Sequence, residues 1–460
     1  MIRRSISLPV AHRMAQRLPR GFCETIAQSY PREARLAIDK VESLLASKEF
    51  VSIWRLLNER FVRWEEFCQM PMPPGTDAKT MWCITRSLLR GAGIELNHPG
   101  WCSTDPTETM WFSVPRTTER AVREIQARTD CNSILWNNIK SNNSIYFMLY
   151  LLQDDLISTF RRDGISLAAH EMRRLCYFHE SASNDAQRVF YNLSGLFERR
   201  EELFGGVKID ECLIWDIYNR LNEGVEQLHV TTSPLDAAYV NHDLFSSEYV
   251  LDRICRFAAG AGSDADLNPL FVGMEFSRYL WDYKPLPMLN ACVELVLRNI
   301  YYRNCGLPVA GIIPTSCIED RRSGQNLGIV VDPKSGQLQD EYRIGGFDST
   351  NYHETTIMAY LDETKRLSER VNLFLRRRQM QIANVEALDN VNARQKDILL
   401  SFLARPDHKV TIKEHYKNTG VSYPSARSDL QELEELGYLR HKVDSRAFLY
   451  EAGPRLRELA

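Results

Sequence analysis

The sequence is organised around Lys284-Pro285-Leu286-Pro287-Met288-Leu289-Asn290-Ala291-Cys292-Val293-Glu294-Leu295. Apolar residues continue from this stretch to Ile300 more densely than a solvent-facing helix allows, so the pattern predicts a buried central helix. The two prolines suit a turn and the first helical positions, and Gly306 suits the helix end. A loop that leads into a buried helix leaves backbone N–H groups without partners. We therefore expect an anion-binding position at this helix start.

Composition sets limits on the class of protein. The chain has 460 residues, of which 44% are hydrophobic and 25% charged, so we expect a globular protein of two or three domains. A net charge of −3 provides no general attraction to nucleic acid or membrane surfaces. The 11 cysteines contain no C-x-x-C pair, which is typical of a protein of the reducing cytoplasm and predicts no metal site. No apolar run reaches the ~20 residues that cross a bilayer, and no secretory signal is recognisable.

The stretch at 284–295 resembles the core motif of Fic (Fido) proteins, His-Pro-Phe-x-Asp/Glu-Gly-Asn-Gly-Arg-x-x-Arg. Pro285 and Asn290 keep the proline and the asparagine of that motif, and Leu286 keeps an apolar residue. The other positions differ. Lys284 stands at the catalytic histidine, Met288 at the acidic metal ligand, Leu289 and Ala291 at the two glycines, and Cys292 and Leu295 at the two arginines.

A second segment, residues 151–164, is similar to the inhibitory helix of the same family. It ends Ser-Thr-Phe-Arg-Arg-Asp-Gly, so that Thr159, Asp163 and Gly164 match a Ser/Thr-x-x-x-Glu-Gly pattern with Asp in place of Glu. In the family this carboxylate pairs with the second arginine of the motif and blocks ATP. Because that arginine is Leu295 here, we expect Asp163 to have no partner at the motif. The alternative is that Asp163-Gly164 simply ends a helix and Thr159 is an ordinary helical residue.

The resemblance divides the chain into three parts. Residues 1–105 contain amphipathic helices without recognisable chemistry, which suit either an interaction domain or an extra layer on the core. Residues 106–388 are predicted to form the Fic-like domain. Within it we expect a substrate-holding flap at 229–234, a β-hairpin from strands at 312–316 and 327–331, and a long helix that ends near residue 384.

Residues 389–460 predict three helices followed by a two-stranded wing, a winged helix-turn-helix. The sequence of residues 411–439 is very similar to that of the winged domain attached to many bacterial Fic proteins. Arg427 on the third helix and Arg446 in the wing are the nucleic-acid candidates. Three glutamates on that helix oppose phosphate binding. We therefore expect the domain to pack on the core or on a second copy through an apolar face that includes Ile398, Leu399, Leu430, Leu433 and Leu436.

The predicted fold class is mainly α: a Fic-type helical bundle with an inserted β-hairpin, plus an α+β winged helix-turn-helix. The replaced residues predict a pseudoenzyme, a binding or regulatory module. A lysine with an ordinary pKa of ~10.4 is protonated and cannot serve as a base, as Lys284 would have to. Met288 offers Mg²⁺ no oxygen, and Cys292 lacks the charge and fork of an arginine. Cys292 itself is either a thiol of lowered pKa at the helix start or a buried structural cysteine.

Two alternatives remain open at this point. One is an adenylyltransferase that moves AMP from ATP to a hydroxyl of a target protein at a non-standard site, in which case ATP and Mg²⁺ are its cofactors. The other is a transcriptional regulator that binds DNA through the winged domain. Under the preferred interpretation no cofactor is expected, and the partner is a protein or a second copy of the chain.

Overall fold

The computed structural model describes residues 44–99, 109–142, 145–178, 181–229, 246–260, 267–316, 318, 347–404, 408–444 and 447–459. Helices make up most of these ranges, so the predicted mainly α class is confirmed. The helices are α1 Lys48–Glu59, α2 Trp64–Phe67, α3 Ala78–Ala92, α4 Arg116–Thr129, α5 Ile134–Ser141, α6 Ile145–Arg162, α7 Ala169–Phe178, α8 Asp185–Glu198, α9 Arg200–Phe204, α10 Glu211–Leu221, α11 Ser247–Ala258, α12 Pro269–Tyr283, α13 Asn290–Asn304, α14 Thr350–Glu386, α15 Ala393–Ala404, α16 Ile412–Thr419 and α17 Tyr423–Glu435. The strands are β1 Ile94–Pro99, β2 Thr109–Phe112, β3 Phe347–Asp348, β4 Val410–Thr411, β5 Leu439–Asp444 and β6 Ala447–Ala452.

Helix α13 is the centre of the main bundle. Every residue from Asn290 to Tyr302 is buried, as the continuous apolar pattern predicts. Helix α12 runs into it through a short turn, and α6, α10 and α14 also pack against the bundle. The predicted long helix is α14, which ends at Glu386, close to the expected residue 384.

The first three helices form a layer with an apolar cluster of their own. Trp54, Phe67 and Trp82 belong to it. Arg86 joins this layer to the main bundle, since its guanidinium lies over the Trp82 ring and pairs with the buried carboxylate of Asp348 at 2.7 Å. A buried pair of this kind holds its place because either charge alone would be costly in the interior.

The strand that we expected at 312–316 is wrong. Ala310–Ile312 forms a short 3₁₀ helix, and the Arg298 guanidinium donates to the carbonyl of Ile313. Gly311 lies against the backbone of Asn299, where an added Cβ would come within 2.9 Å of its Cα. The Ile313 carbonyl is thus bound by a side chain, whereas in a strand it could have been offered to a neighbouring strand. The predicted return strand at 327–331 falls outside the described residues.

A small sheet crosses one end of the bundle instead. Strands β1 and β2 are antiparallel, and β3 pairs with β2 in parallel, so the order is β1-β2-β3. Ser349 follows β3 and donates its N–H to the carbonyl of Trp111 at 2.9 Å. The sheet thereby fixes the start of α14 beside the entry to α4.

The C-terminal unit contains α15, α16 and α17 in succession, then the β5–β6 hairpin, with sheet order β4-β6-β5. Leu399, Leu430 and Leu433 are fully buried within this unit and pack with Val385 from the end of α14. Ile398 and Leu436 belong to the same cluster. This apolar face forms the interior of the unit and also packs on the end of α14, which belongs to the predicted Fic-like part of the chain.

In the ranges given above, no helix combines the length and the apolar character that crossing a bilayer requires.

Candidate functional site

The turn between α12 and α13 has an unusual backbone. Lys284 and Leu289 adopt the left-handed conformation, with φ of 43° and 58°. This conformation costs an L-residue roughly 1–2 kcal/mol, so the surrounding contacts must hold it. Asn290 supplies two of them: its side-chain carbonyl accepts the N–H of Leu286 at 3.0 Å, and its amide donates to the carbonyl of Leu286 at 2.9 Å. Asn290 therefore stabilises the turn through its side chain.

The start of α13 is occupied by a carboxylate from elsewhere in the chain. The two oxygens of Asp163 accept the backbone N–H groups of Ala291 and Cys292, each at 2.9 Å. The first N–H groups of a helix have no acceptor within the helix, and the helix dipole is positive at this end. Both features favour binding of an anion. Our expectation that Asp163 has no partner at the motif is therefore wrong. Backbone N–H groups at the helix start, not a side chain at Leu295, bind this carboxylate.

The end of α6 sets the position of Asp163. Gly164 follows with φ of 72°. Its N–H donates to the backbone carbonyl of Arg161, and the N–H of Ile165 donates to the backbone carbonyl of Phe160 at 2.8 Å. This is a glycine-based helix terminus. The segment therefore ends the helix, as one of the two interpretations of Asp163-Gly164 predicts, and it also brings the carboxylate to α13.

Burial controls the protonation of this site. It raises the pKa of Asp163, while the two N–H donors and the charge of Lys284 act in the opposite direction. Burial also raises the pKa of the Cys292 thiol well above its ordinary value, and the nearby charge of Asp163 adds to this effect. Cys292 is 0% exposed. Its burial and the direction of the pKa shift favour the buried structural cysteine of the two alternatives.

Helix α6 presents a polar stripe toward α13, formed by Asp155, Thr159 and Asp163 at intervals of four residues. The Thr159 hydroxyl is buried and hydrogen-bonds the hydroxyl of Ser316 at 3.0 Å. The carboxylate of Asp155 accepts the N–H of Ser316 at 2.9 Å. Thr159 is thus more than an ordinary helical residue, since it fixes α6 along the segment that follows α13.

The guanidinium of Arg298 lies at the contact between α6 and α13. Its guanidinium pairs with Asp155 at 3.0 Å and with Glu294 at 3.0 Å, and all three side chains are 0% exposed. Ser277 donates to Glu294 at 2.6 Å. Burial raises the pKa of Glu294, whereas the charge of Arg298 lowers it. Sequence analysis did not identify these residues, although the i, i+4 spacing of Glu294 and Arg298 is a signal that could have found them.

The remaining motif positions lie on the turn before α13. Lys284 and Met288 are half-buried on either side of the turn, and Pro285 is buried. Across the ranges that the structure describes, no group of three or more His, Cys, Asp or Glu side chains is arranged to hold a metal ion. Of the expected flap at 229–234, only His229 belongs to those ranges.

The third helix of the C-terminal unit differs from the expected acidic surface. Asp429 is buried and accepts from Nε and Nη2 of Arg394, at 2.9 and 3.0 Å. It also accepts from Asn392 and lies 3.3 Å from the His415 ring. These contacts join α17 to α15 and α16 from within. The acid therefore serves the packing of the unit.

Two of the three glutamates on this helix also have partners in the unit. Glu432 accepts from Gln395 at 2.6 Å, and Glu434 accepts from the ring of His441 at 2.6 Å. Arg427 is exposed. The other nucleic-acid candidate, Arg446, lies outside the described residues.

Comparison with protein-family models gives no match for this chain. No curated protein matches it either. Among solved structures, the chain is similar to the crystal structure of a Fic family protein from Desulfovibrio desulfuricans G20, with a TM-score of 0.41 and 12% sequence identity. That similarity covers 74% of this chain and 97% of the other.

Proposed function

We propose that this chain is a Fic-type protein that has lost nucleotide transfer and acts as a binding or regulatory module. One observation carries the proposal: the Asp163 carboxylate takes the N–H groups of Ala291 and Cys292. In the motif that the sequence resembles, this helix start is where a phosphate of ATP would bind. A phosphate at the same two donors would compete with a carboxylate that is part of the chain, and the two negative charges would repel each other.

Chemistry supports the same conclusion. Transfer of AMP to a hydroxyl requires a base for the hydroxyl proton and a cation for the diphosphate. Lys284 stands at the place of the base and carries a positive charge that attracts Asp163. The buried Cys292 thiol stands where the motif has an arginine, so no guanidinium fork reaches the phosphates from that position.

The test is a transfer assay with radiolabelled ATP and Mg²⁺. The purified chain is expected to label neither itself nor the proteins of a cell lysate, in an experiment where an active Fic transferase gives strong labelling. Asp163→Gly is expected to stay inactive, because opening the helix start restores neither a base nor a metal ligand. Labelling by the wild-type chain that disappears with Lys284→Ala would overturn the proposal. Labelling that appears only with Asp163→Gly would also overturn the proposal, because it would show a transferase that the carboxylate inhibits.

A binding or regulatory role requires a partner, and the proposal names a protein or a second copy of this chain. Light scattering coupled to size exclusion at several protein concentrations tests the second copy. A mass that stays at that of one chain would leave a different protein as the partner and would exclude self-association at those concentrations.

A second candidate function is binding of duplex DNA through α17, and one observation favours it. The acids Asp429, Glu432 and Glu434 have partners inside the C-terminal unit, whereas Arg427 is exposed on the same helix. Anisotropy of a labelled duplex tests this function. Binding through phosphates is expected to weaken as salt rises and to weaken with Arg427→Ala, while Lys140→Ala on α5 leaves it unchanged. Absence of binding at low salt would exclude this candidate.

A further inference from the structure

Two tyrosines of the C-terminal unit lie together at its surface. Tyr416 belongs to α16 and Tyr423 begins α17, and the two residues are 42% and 51% exposed. Their ring centroids are 6.1 Å apart, and the ring planes meet at 63°. Because this contact is edge to face, it leaves uncovered ring faces that face-to-face stacking would hide. The pair therefore offers aromatic faces to a partner.

Cations flank the two rings along both helices. Lys413 lies one helical turn before Tyr416 and Lys417, so these three residues share one side of α16. Arg427 lies one turn after Tyr423 on α17. The three cations are exposed, and no ion pair within the described residues holds any of them. These five residues form what we call the aromatic–basic surface.

The acids of the same two helices are bound elsewhere. Glu414 of α16 accepts the N–H of Thr411 at 2.8 Å and closes a capping box at the helix start. Asp429 and Glu432 of α17 accept from side chains of α15. These acids therefore do not pair with the cations of the aromatic–basic surface, which can attract an anion.

A single strand of nucleic acid matches both features of this surface. Its unpaired bases stack on aromatic side chains, and its phosphates pair with cations along the same path. In a duplex the faces of the bases are covered by the neighbouring base pairs, so a duplex could contact the cations but could not stack on the rings. Exposed rings between cations therefore favour unpaired nucleotides.

We propose that the aromatic–basic surface binds single-stranded nucleic acid. Bases stack on Tyr416 and Tyr423, and phosphates pair with Lys413, Lys417 and Arg427. This ligand goes beyond the proposed function and does not depend on the loss of nucleotide transfer, which the transfer assay tests separately. It also differs from duplex binding, in which Arg427 acts without the tyrosines.

The experiment measures the anisotropy of labelled oligonucleotides of about 12 nucleotides with the full chain. The probes are oligo-dT, oligo-rU and a duplex of the same length. A single strand is expected to bind more tightly than the duplex, and the tighter of the two single strands identifies the preferred sugar. Tyr416→Ala and Tyr423→Ala are each expected to weaken single-strand binding roughly 5- to 150-fold, through loss of one stacked base.

Conservative variants and a matched control show whether the ring is responsible. Tyr416→Phe and Tyr423→Phe keep the ring and are expected to bind like the wild type. Tyr191→Ala is the control, since Tyr191 is a tyrosine of α8 with 52% exposure, and it is also expected to bind like the wild type. Circular dichroism checks the fold of each variant. If an alanine variant unfolds, leucine at the same position is expected to show the same loss of affinity.

Salt separates the cations from the rings. Three phosphate contacts on a single strand predict that the logarithm of the association constant falls against the logarithm of salt concentration with a slope of roughly −2. Lys413→Ala is expected to make this slope shallower by about 0.7. Tyr416→Ala is expected to lower the affinity and leave the slope unchanged.

Three outcomes would overturn the proposal. The first is that neither single strand binds at low salt. The second is that the duplex binds as tightly as the single strands, and if that binding depends on Arg427 alone it supports the second candidate function instead. The third is that folded variants with alanine or leucine at both tyrosines bind single strands like the wild type.

Discussion

Asp163→Ala is expected to destabilise the central bundle, because it removes the acceptor of two helix-start N–H groups. Each hydrogen bond between an N–H and a carboxylate contributes about 1.5–3 kcal/mol. Burial of the charged carboxylate removes it from water, and this desolvation offsets part of the favourable free energy of the hydrogen bonds. The same desolvation raises the pKa of Asp163. The donors left behind at Ala291 and Cys292 belong to buried residues. We therefore expect the free energy of unfolding to fall by about 2–3 kcal/mol.

Asp163→Asn distinguishes the effect of the carboxylate's charge and acceptor atoms from the effect of the side chain's volume. An amide keeps the shape but offers a single acceptor, and its NH₂ group then faces one of the two N–H donors. We expect this variant to lose about as much stability as Asp163→Ala, within about 1 kcal/mol. The control is Asp154→Ala, an exposed acid on the same helix, which is expected to change stability by less than about 0.5 kcal/mol.

The assay is urea unfolding followed by circular dichroism, with hydrogen exchange of the peptide that covers residues 284–295. Loss of the carboxylate is expected to lower the urea midpoint and to speed exchange at the amides of Ala291 and Cys292. The control variant is expected to exchange like the wild type. If Asp163→Ala unfolds at the same urea concentration as Asp154→Ala and leaves exchange unchanged, the carboxylate does not cap α13 in solution and the reasoning fails.

Three further changes test the surrounding contacts. Asn290→Ala removes both hydrogen bonds to the Leu286 backbone and is expected to lower the free energy of unfolding by about 2–3 kcal/mol, measured by urea titration. Gly273→Ala places a Cβ 2.2 Å from the Tyr302 hydroxyl oxygen; we expect a loss of about 1–3 kcal/mol in the same titration, and an unchanged midpoint would contradict the packing. Burial raises the pKa of Asp429, but hydrogen bonds from Arg394, Asn392 and His415 together outweigh it and hold the pKa below its ordinary value. The contribution of Asp429 to stability is therefore present above the unfolded pKa of ~3.9 and is lost as the pH falls through the folded pKa. The difference in melting temperature between wild type and Asp429→Asn is therefore expected to be largest near neutral pH and to shrink in acid; a difference that grows in acid would refute this.

Local patterns in the sequence determined the main helices. The continuous apolar run after Asn290 predicted a buried helix, and α13 is buried from that residue to Tyr302. The sequence also predicted the end of α14 to within a few residues, and the order of three helices and a hairpin at the C-terminus. These features depend on residues close together in the chain, where periodicity and capping act.

Tertiary structure alone decided what the polar residues do. Asp163 meets Ala291 across 128 residues of sequence, and no local pattern says which donors a carboxylate will find at that distance. Asp429 lies on the helix whose glutamates suggested an acidic surface, but contacts with Asn392, Arg394 and His415 make it an internal residue. Where a strand was expected, Ala310–Ile312 forms a 3₁₀ helix, and distant Arg298 binds the carbonyl of Ile313. Burial and pairing with distant groups set the role of a polar side chain or a backbone group, and both arise only when the helices have packed.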